Sequence, residues 1–402
     1  MFTEDFYSKL LDLEKGWYVK KVQTNLKENE ITIEIECTLK EILDPETNQV
    51  CTVYDYAPIR QWRHLDTMQY KTYLACRLPR IKTSKGKVRT IDPGWASGHQ
   101  RHTFLFEHAV IDLLMATKNQ TRTAQLMRCG FNVVNRIIHL STARGLARRD
   151  LSGISLEHLS IDEKSFQKGH SYVTVLSHPK SGFVLDVGEG RSTDSCKDIL
   201  TGSLTEGQRN SIGHISMDMW KAYMNSVKEL LPQAEIVHDR FHLIKYLNEA
   251  VDKVRRREVK KHKELKNIRY ALLKNPQNHT ETQRIKFESI RDANYEVSRA
   301  WQVKENFKNL FSADKGDGYL LYLKWASDAI GRRISEINKV VDVFNNHFNG
   351  VINALVTDFT NAMAERLNGK IQELKTIGRG YRKFKNFRSV VLFFLGGLNL
   401  YH

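Results

Sequence analysis

The sequence predicts a multidomain α/β protein: an α/β layer split by an all-helical insertion, with a small β-rich module and a helical segment ahead of it. Three observations carry this. Hydrophobic residues alternate with period two from about residue 31 to 100, switch to helical spacing near Phe104, and return to strand spacing near Ser155. A long helical stretch from about Phe241 to Asn345 then separates the α/β segment from its continuation. The 402 residues, 41% of them hydrophobic, suffice for roughly two to four domains with cores of their own. The expected boundaries are 1–100, 101–150, 151–245, 246–350 and 351–402.

In the first segment, Glu30-Ile31-Thr32-Ile33-Glu34-Ile35-Glu36 alternates cleanly, and Asp44-Pro45 and Asp92-Pro93-Gly94 mark turns. In the second, Phe106, Val110, Leu113 and Leu114 recur at helical spacing, a short helix spans Arg122 to Arg128, and Cys129-Gly130-Phe131 interrupts it. A third helix starts at Asn132, an N-cap candidate, and runs through Val133, Val134, Ile137 and Ile138. Short helix, glycine turn and longer helix is the helix-turn-helix layout, and Arg136, His139 and Arg144 are expected to face outward for DNA; a plain three-helix bundle has the same pattern.

In the third segment Leu159 and Ile161 point one way and Ser160 and Asp162 the other. Ser171–Leu176 and Gly182–Val187 form a hairpin, Ser192 or Thr193 caps a helix, and Ile212–Asp218 and Ala234–His238 are strands around a helix with Trp220, Tyr223, Val227 and Leu230 on one side. Three antiparallel-type strands followed by helix, strand, helix, strand is the order of an RNase H-like layer. In the helical insertion, Phe241, Ile244, Leu247, Val251 and Val254 form an apolar stripe; Arg255, Arg256, Arg257 and Lys260 lie on the other face, which is either solvated or tracks phosphates.

The formal charge of +16 and a pI near 9.5 point to a polyanionic partner, most simply nucleic acid. No signal peptide, bilayer-length apolar run or lipidation motif is recognisable. Five scattered cysteines, Cys37, Cys51, Cys76, Cys129 and Cys196, fit reduced cytosolic thiols rather than a disulfide framework.

Asp162, Asp218 and Glu365 are the candidate catalytic and metal-binding residues. The two aspartates are expected at the C-terminal ends of adjacent strands, on the polar side of each. Glu365 shares a helix side with Asn368 and Gln372, away from the stripe Ala364, Leu367, Ile371 and Leu374. Hard carboxylates suit Mg²⁺ or Mn²⁺, and two such ions can drive in-line displacement at a phosphodiester. Asp239 in Asp239-Arg240-Phe241-His242 is either a helix cap or, with His242, part of the rim of the site.

The stretches Trp62-Arg63-His64-Leu65-Asp66-Thr67, Pro93-Gly94-Trp95-Ala96, Ser160-Ile161-Asp162-Glu163, Met217-Asp218-Met219-Trp220, Val237-His238-Asp239-Arg240-Phe241-His242 and Ala364-Glu365-Arg366-Leu367-Asn368 resemble the ISL-three family of DDE insertion-sequence transposases. The resemblance implies an RNase H-like catalytic domain interrupted by a helical insertion, with Asp162, Asp218 and Glu365 as its metal-binding triad. It implies binding to the terminal inverted repeats, strand cleavage and strand transfer to target DNA, a homodimer or higher oligomer on DNA, and a cytoplasmic, nucleoid-associated location. An inactive transposase-derived DNA-binding protein and an RNase H-like structure-specific nuclease are the alternatives. The family's N-terminal zinc segment is only partly matched. Cys37 has no partner two residues on, and Thr83 stands where a cysteine is expected. Cys51 and Cys76 remain, and a four-ligand zinc site needs His64, His99 or His102, so the expectation is a degenerate zinc-ribbon-like module without zinc.

Overall fold

The computed structural model describes residues 3–83, 86–167, 171–274, 276–291, 293–359 and 362–402, so Asn361, ahead of the Glu365 motif, lies outside it. The chain divides into two compact units, Met1–Arg148 with Asn399–His402, and Arg149–Leu398.

The first unit contains two four-stranded sheets and helices. One sheet orders its strands Trp17–Asn25, Glu30–Cys37, Lys71–Cys76, Arg60–Arg63; the other orders Glu41–Leu43, Val50–Tyr56, Pro79–Lys82, Val88–Thr90. The period-two pattern buries Ile31, Ile33 and Ile35 against Trp62, whose indole N–H donates to the Ser97 carbonyl at 3.2 Å. Cys37 and Cys76 are buried in this unit, and burial pushes the Cys76 thiol up to about 12, so it behaves as a small apolar group.

Three helices follow, Phe104–Thr117, Gln120–Leu126 and Phe131–Ala147, the first two capped by the side chains of Thr103 and Asn119. Gly130, not Asn132, is the N-cap of the third, which therefore starts one residue before that asparagine. Arg136 is exposed and donates to the His99 carbonyl, and His139 is half-buried. Arg144 does not face outward: its guanidinium bonds the fully buried Glu107 carboxylate, because an acid at zero exposure needs a cation beside it.

The second unit is built on one five-stranded sheet, in the order Phe183–Glu189, Ser171–His178, His158–Gln167, His214–Met217, Glu235–His238. The first three strands in sequence form an antiparallel meander; the last two run parallel to His158–Gln167 and to each other. Alternation sets the two faces. Leu159, Ile161, Ile215 and Met217 pack with Cys196, Ile199, Tyr223 and Val227 of the helices Thr193–Ser203 and Lys221–Leu230. Ser160 and Asp162 point to the opposite face.

The helical insertion has its own core, running from Leu243, Leu247, Val251 and Val254 through Val303, Phe307 and Phe344 to Leu355. Phe241 is not in this stripe; it is 55% exposed, and Leu243 takes the buried position. Trp325 is core, with its N–H donating to the Val303 carbonyl, and Trp301 packs on Phe287 at the edge of that core. Arg255 is half-buried and bonded to Asp252, while Arg256 pairs with Asp252 and Arg257 with Glu296 and Glu336. Lys260 is exposed. The insertion returns to the sheet through Phe348–Val356, where Asn353 donates to the Ile236 carbonyl and a Cβ on Gly350 would stand 2.4 Å from the His238 ring.

Candidate metal-binding carboxylate site

Two parallel strands and two helices supply the site. Ser216 is paired with Ser160, and Asp218 and Asp162 each lie two residues further along. Asp162 is not at a strand end. Its strand continues to Gln167 because the hairpin partner Ser171–His178 stays paired with it, placing Val175 opposite Asp162. Asp218 stands just past its own strand, where its Oδ1 accepts the Trp220 N–H at 3.1 Å. Asp239 caps the helix Arg240–Glu258, accepting the Phe241 N–H at 2.9 Å, and its other oxygen bonds His242 Nδ1 at 2.8 Å. Asp239 is therefore a cap and also the group that orients His242.

Glu365 lies in the first turn of the helix Ala362–Ile377, whose stripe Ala364, Leu367, Ile371 and Leu374 is buried. One turn on, the Asn368 amide donates to Asp162 Oδ2, while Asp162 Oδ1 accepts the Glu163 N–H at 2.7 Å. Asn368 is a site residue to which the sequence reading assigned no role; its shared helix side with Glu365 was the available signal.

These groups feel one another's charge. Burial raises the Asp162 carboxyl above its ordinary range, against the hydrogen bond from Asn368, and the neighbouring Asp239 raises it further. Asp218 is pushed up to about 6, by burial first and also by Asp162. Glu365 is raised by partial burial and by Asp239 and Asp162. His242 is raised by its hydrogen bond to Asp239 and by the charges of Asp162 and Asp218. One imidazole thus faces four carboxyl groups. That excess of acid is what a hard divalent cation relieves, and oxygen donors of this type fit Mg²⁺ or Mn²⁺. Among the described residues, however, no group of three or more His, Cys, Asp or Glu stands in an arrangement that could itself hold a metal ion. The acids form one electrostatic cluster without forming a closed coordination shell.

The model of the DDE ISL3 family, described as Transposase, matches residues 159–391, which include all three acids, Asp239, His242 and Asn368. The Transposase for insertion sequence element IS1557 of Mycobacterium tuberculosis is 27% identical over 369 residues, covering 85% of this chain and 82% of that protein. The Transposase for insertion sequence element IS1001 of Bordetella parapertussis is 25% identical over 367 residues, covering 89% of each. Among solved structures, the Drosophila P element transposase strand transfer complex aligns at a TM-score of 0.36 and 11% identity, over 76% of this chain and 95% of that one. No helix among the described residues is long and apolar enough to cross a membrane. Transposases act on DNA, and DDE transposases generally use a divalent metal. The chain belongs to the ISL3 family of insertion-sequence transposases.

Proposed function

We propose that this chain binds the terminal inverted repeats of its element and carries out metal-dependent strand cleavage and strand transfer, with Asp162, Asp218 and Glu365 holding Mg²⁺ or Mn²⁺. One observation carries the reading: the Asn368 amide, one turn after Glu365, bonds Asp162, whose strand pairs with that of Asp218, so three carboxyl groups distant in sequence gather at the sheet, each raised by burial and by a neighbouring acid. The strand order, an antiparallel meander followed by two parallel strands, supports an RNase H-like core. Bound divalent ions would supply an activated nucleophile and a stabilised leaving oxygen for in-line displacement.

The chain's own residues prepare that site. Asn368 and the Glu163 N–H each hold one oxygen of Asp162, fixing its orientation. Asp239 holds His242 beside the acids, whose charges favour its protonated form. DNA contact is assigned to the helix Phe131–Ala147 through Arg136 and His139, read as the recognition helix of a helix-turn-helix, and to the basic end of Arg240–Glu258 with Lys260 beyond it. Arg144 and Arg255, bound to Glu107 and Asp252, are removed from that set. A dimer or larger assembly on paired ends is part of the proposal.

The test is a cleavage and strand-transfer assay on presumptive element ends. Asp162→Asn and Glu365→Gln should abolish both steps and leave end binding intact. Full cleavage by either variant with Mg²⁺ overturns the assignment. Wild-type cleavage with no joined product makes the chain a nuclease; binding without cleavage makes it an inactive DNA-binding protein.

A further inference from the structure

We propose that Arg191 is a positioning residue that sets the spacing of Asp162 and Asp218, bracing from the opposite face of the sheet the two segments that carry them. The inference rests on reading those acids as metal-binding residues.

The backbone leaves their spacing open. Pairing between the two strands ends at Ser216 and Ser160, short of both acids. Beyond that point Asp162 is held by its hairpin partner, whereas Asp218 lies past its strand and bonds the Trp220 N–H.

Side chains close the gap where the ladder stops. Arg191 Nη1 bonds Glu163 Oε2 at 3.0 Å, and Glu163 is the residue after Asp162. The same guanidinium lies 4.8 Å from the ring of Trp220, two residues after Asp218, and 3.9 Å from that of Tyr172. The Trp220 indole N–H donates to the Arg191 carbonyl at 3.0 Å, so one residue grips both segments, with side chain and backbone together. Arg191 is itself anchored. Gly190 donates to the Tyr172 carbonyl and accepts from the Thr174 hydroxyl, both at 2.9 Å, and its φ of +85° suits glycine.

Alternation puts Glu163 on the side of Leu159 and Ile161, away from Asp162. Arg191 therefore does not bond the carboxylate oxygens of Asp162 and acts on the backbone behind them. The role calls for arginine because the planar fork can stack on two rings and bond a carboxylate at once; lysine keeps the charge and loses the stacking.

The test measures Mn²⁺ binding to the full chain by electron paramagnetic resonance, alongside cleavage of element ends. Arg191→Ala should weaken Mn²⁺ about 10–100-fold, the range for partners that orient metal ligands. Cleavage should be recovered in part at high Mn²⁺, and end binding should be unchanged. Glu163→Gln and Trp220→Phe should give smaller losses in the same direction, and Arg191→Lys should restore only part of the affinity. If Arg191→Ala does not fold, Arg191→Lys and Trp220→Phe carry the test. Wild-type Mn²⁺ affinity in the folded Arg191 and Glu163 variants overturns the brace. Wild-type Mn²⁺ binding and cleavage in Asp162→Asn overturns the site reading, and the brace with it.

Discussion

Glu107 in the first unit and Asp218 in the second are both acids withdrawn from water, and they are treated in opposite ways. Glu107 is at zero exposure, yet its carboxyl lies below its usual range. Burial pushes it up, but the hydrogen bond from His102 and the charge of Arg144 outweigh that, and His402 Nε2 stands 3.3 Å away. Among the described residues Asp218 has no Lys or Arg ion pair, only the nearby His242, and its carboxyl is pushed up to about 6. The first acid is a finished structural element. The second is left electrostatically incomplete, as the proposed metal-binding role requires.

The widest separation of the two should come from activity. Asp218→Asn should lower strand cleavage by roughly 10²–10³-fold or more, as for loss of a principal charge-stabilising group, whereas a folded Glu107→Gln chain should keep its chemistry. Equal losses in a single-turnover cleavage assay would erase the distinction.

Stability should move in opposite directions. Glu107→Gln strands Arg144 and should cost about 3–5 kcal/mol in the first unit, read by hydrogen exchange on its peptides. Asp218→Asn removes an unfavourable charge and should stabilise the second unit by about 1 kcal/mol at pH 7.

The pH dependence follows from the same shifts. The folded Asp218 carboxyl titrates above its ordinary 3.8, so its neutral form contributes stability that is complete below that value and lost as pH rises through about 6. The gap between wild type and Asp218→Asn should therefore open between about pH 4 and 6. Glu107, held below its ordinary 4.5, contributes stability that is present above that value and lost as pH falls below it. Because protons compete with the ion, Mn²⁺ affinity should also rise between pH 5 and 7, as a calorimetric titration series would read. At Mn²⁺ ten times its Kd, the second unit should gain about 1.4 kcal/mol and the first nothing.

The smallest effect concerns DNA. Lys260→Gln and Arg136→Gln should each lower the salt slope of end binding by about 1, whereas Arg255→Gln should leave it unchanged because that guanidinium is committed to Asp252. An equal slope change for all three would return Arg255 to the DNA-binding set.

What could be read from the sequence was local. Alternation at Leu159–Asp162 assigned the faces, and the stripe Ala364–Leu374 left Glu365 and Asn368 on the open side of their helix. What escaped it depended on partners far along the chain. Asp162 lies in mid-strand because the hairpin extends past it. Arg144 turns inward because of Glu107, which lies on another helix. Phe241 gives its core position to Leu243 because Asp239 and His242 fix the start of that helix at the site. Arg191 showed no periodic or motif signal, since its contacts come from three different elements.

The helical insertion also sets a schedule. About 125 residues separate Asp239 from Glu365, and at roughly 5–20 residues per second a ribosome takes about 6–25 s to make them. Asp162, Asp218, Asp239 and His242 are therefore synthesised well before Glu365, and the insertion must fold back onto the His238 strand before the last acid can join them. On the proposed function, a nascent chain that already carries most of its basic residues would meet DNA while the proposed triad is still incomplete. On that reading the capacity to bind would precede the capacity to cut.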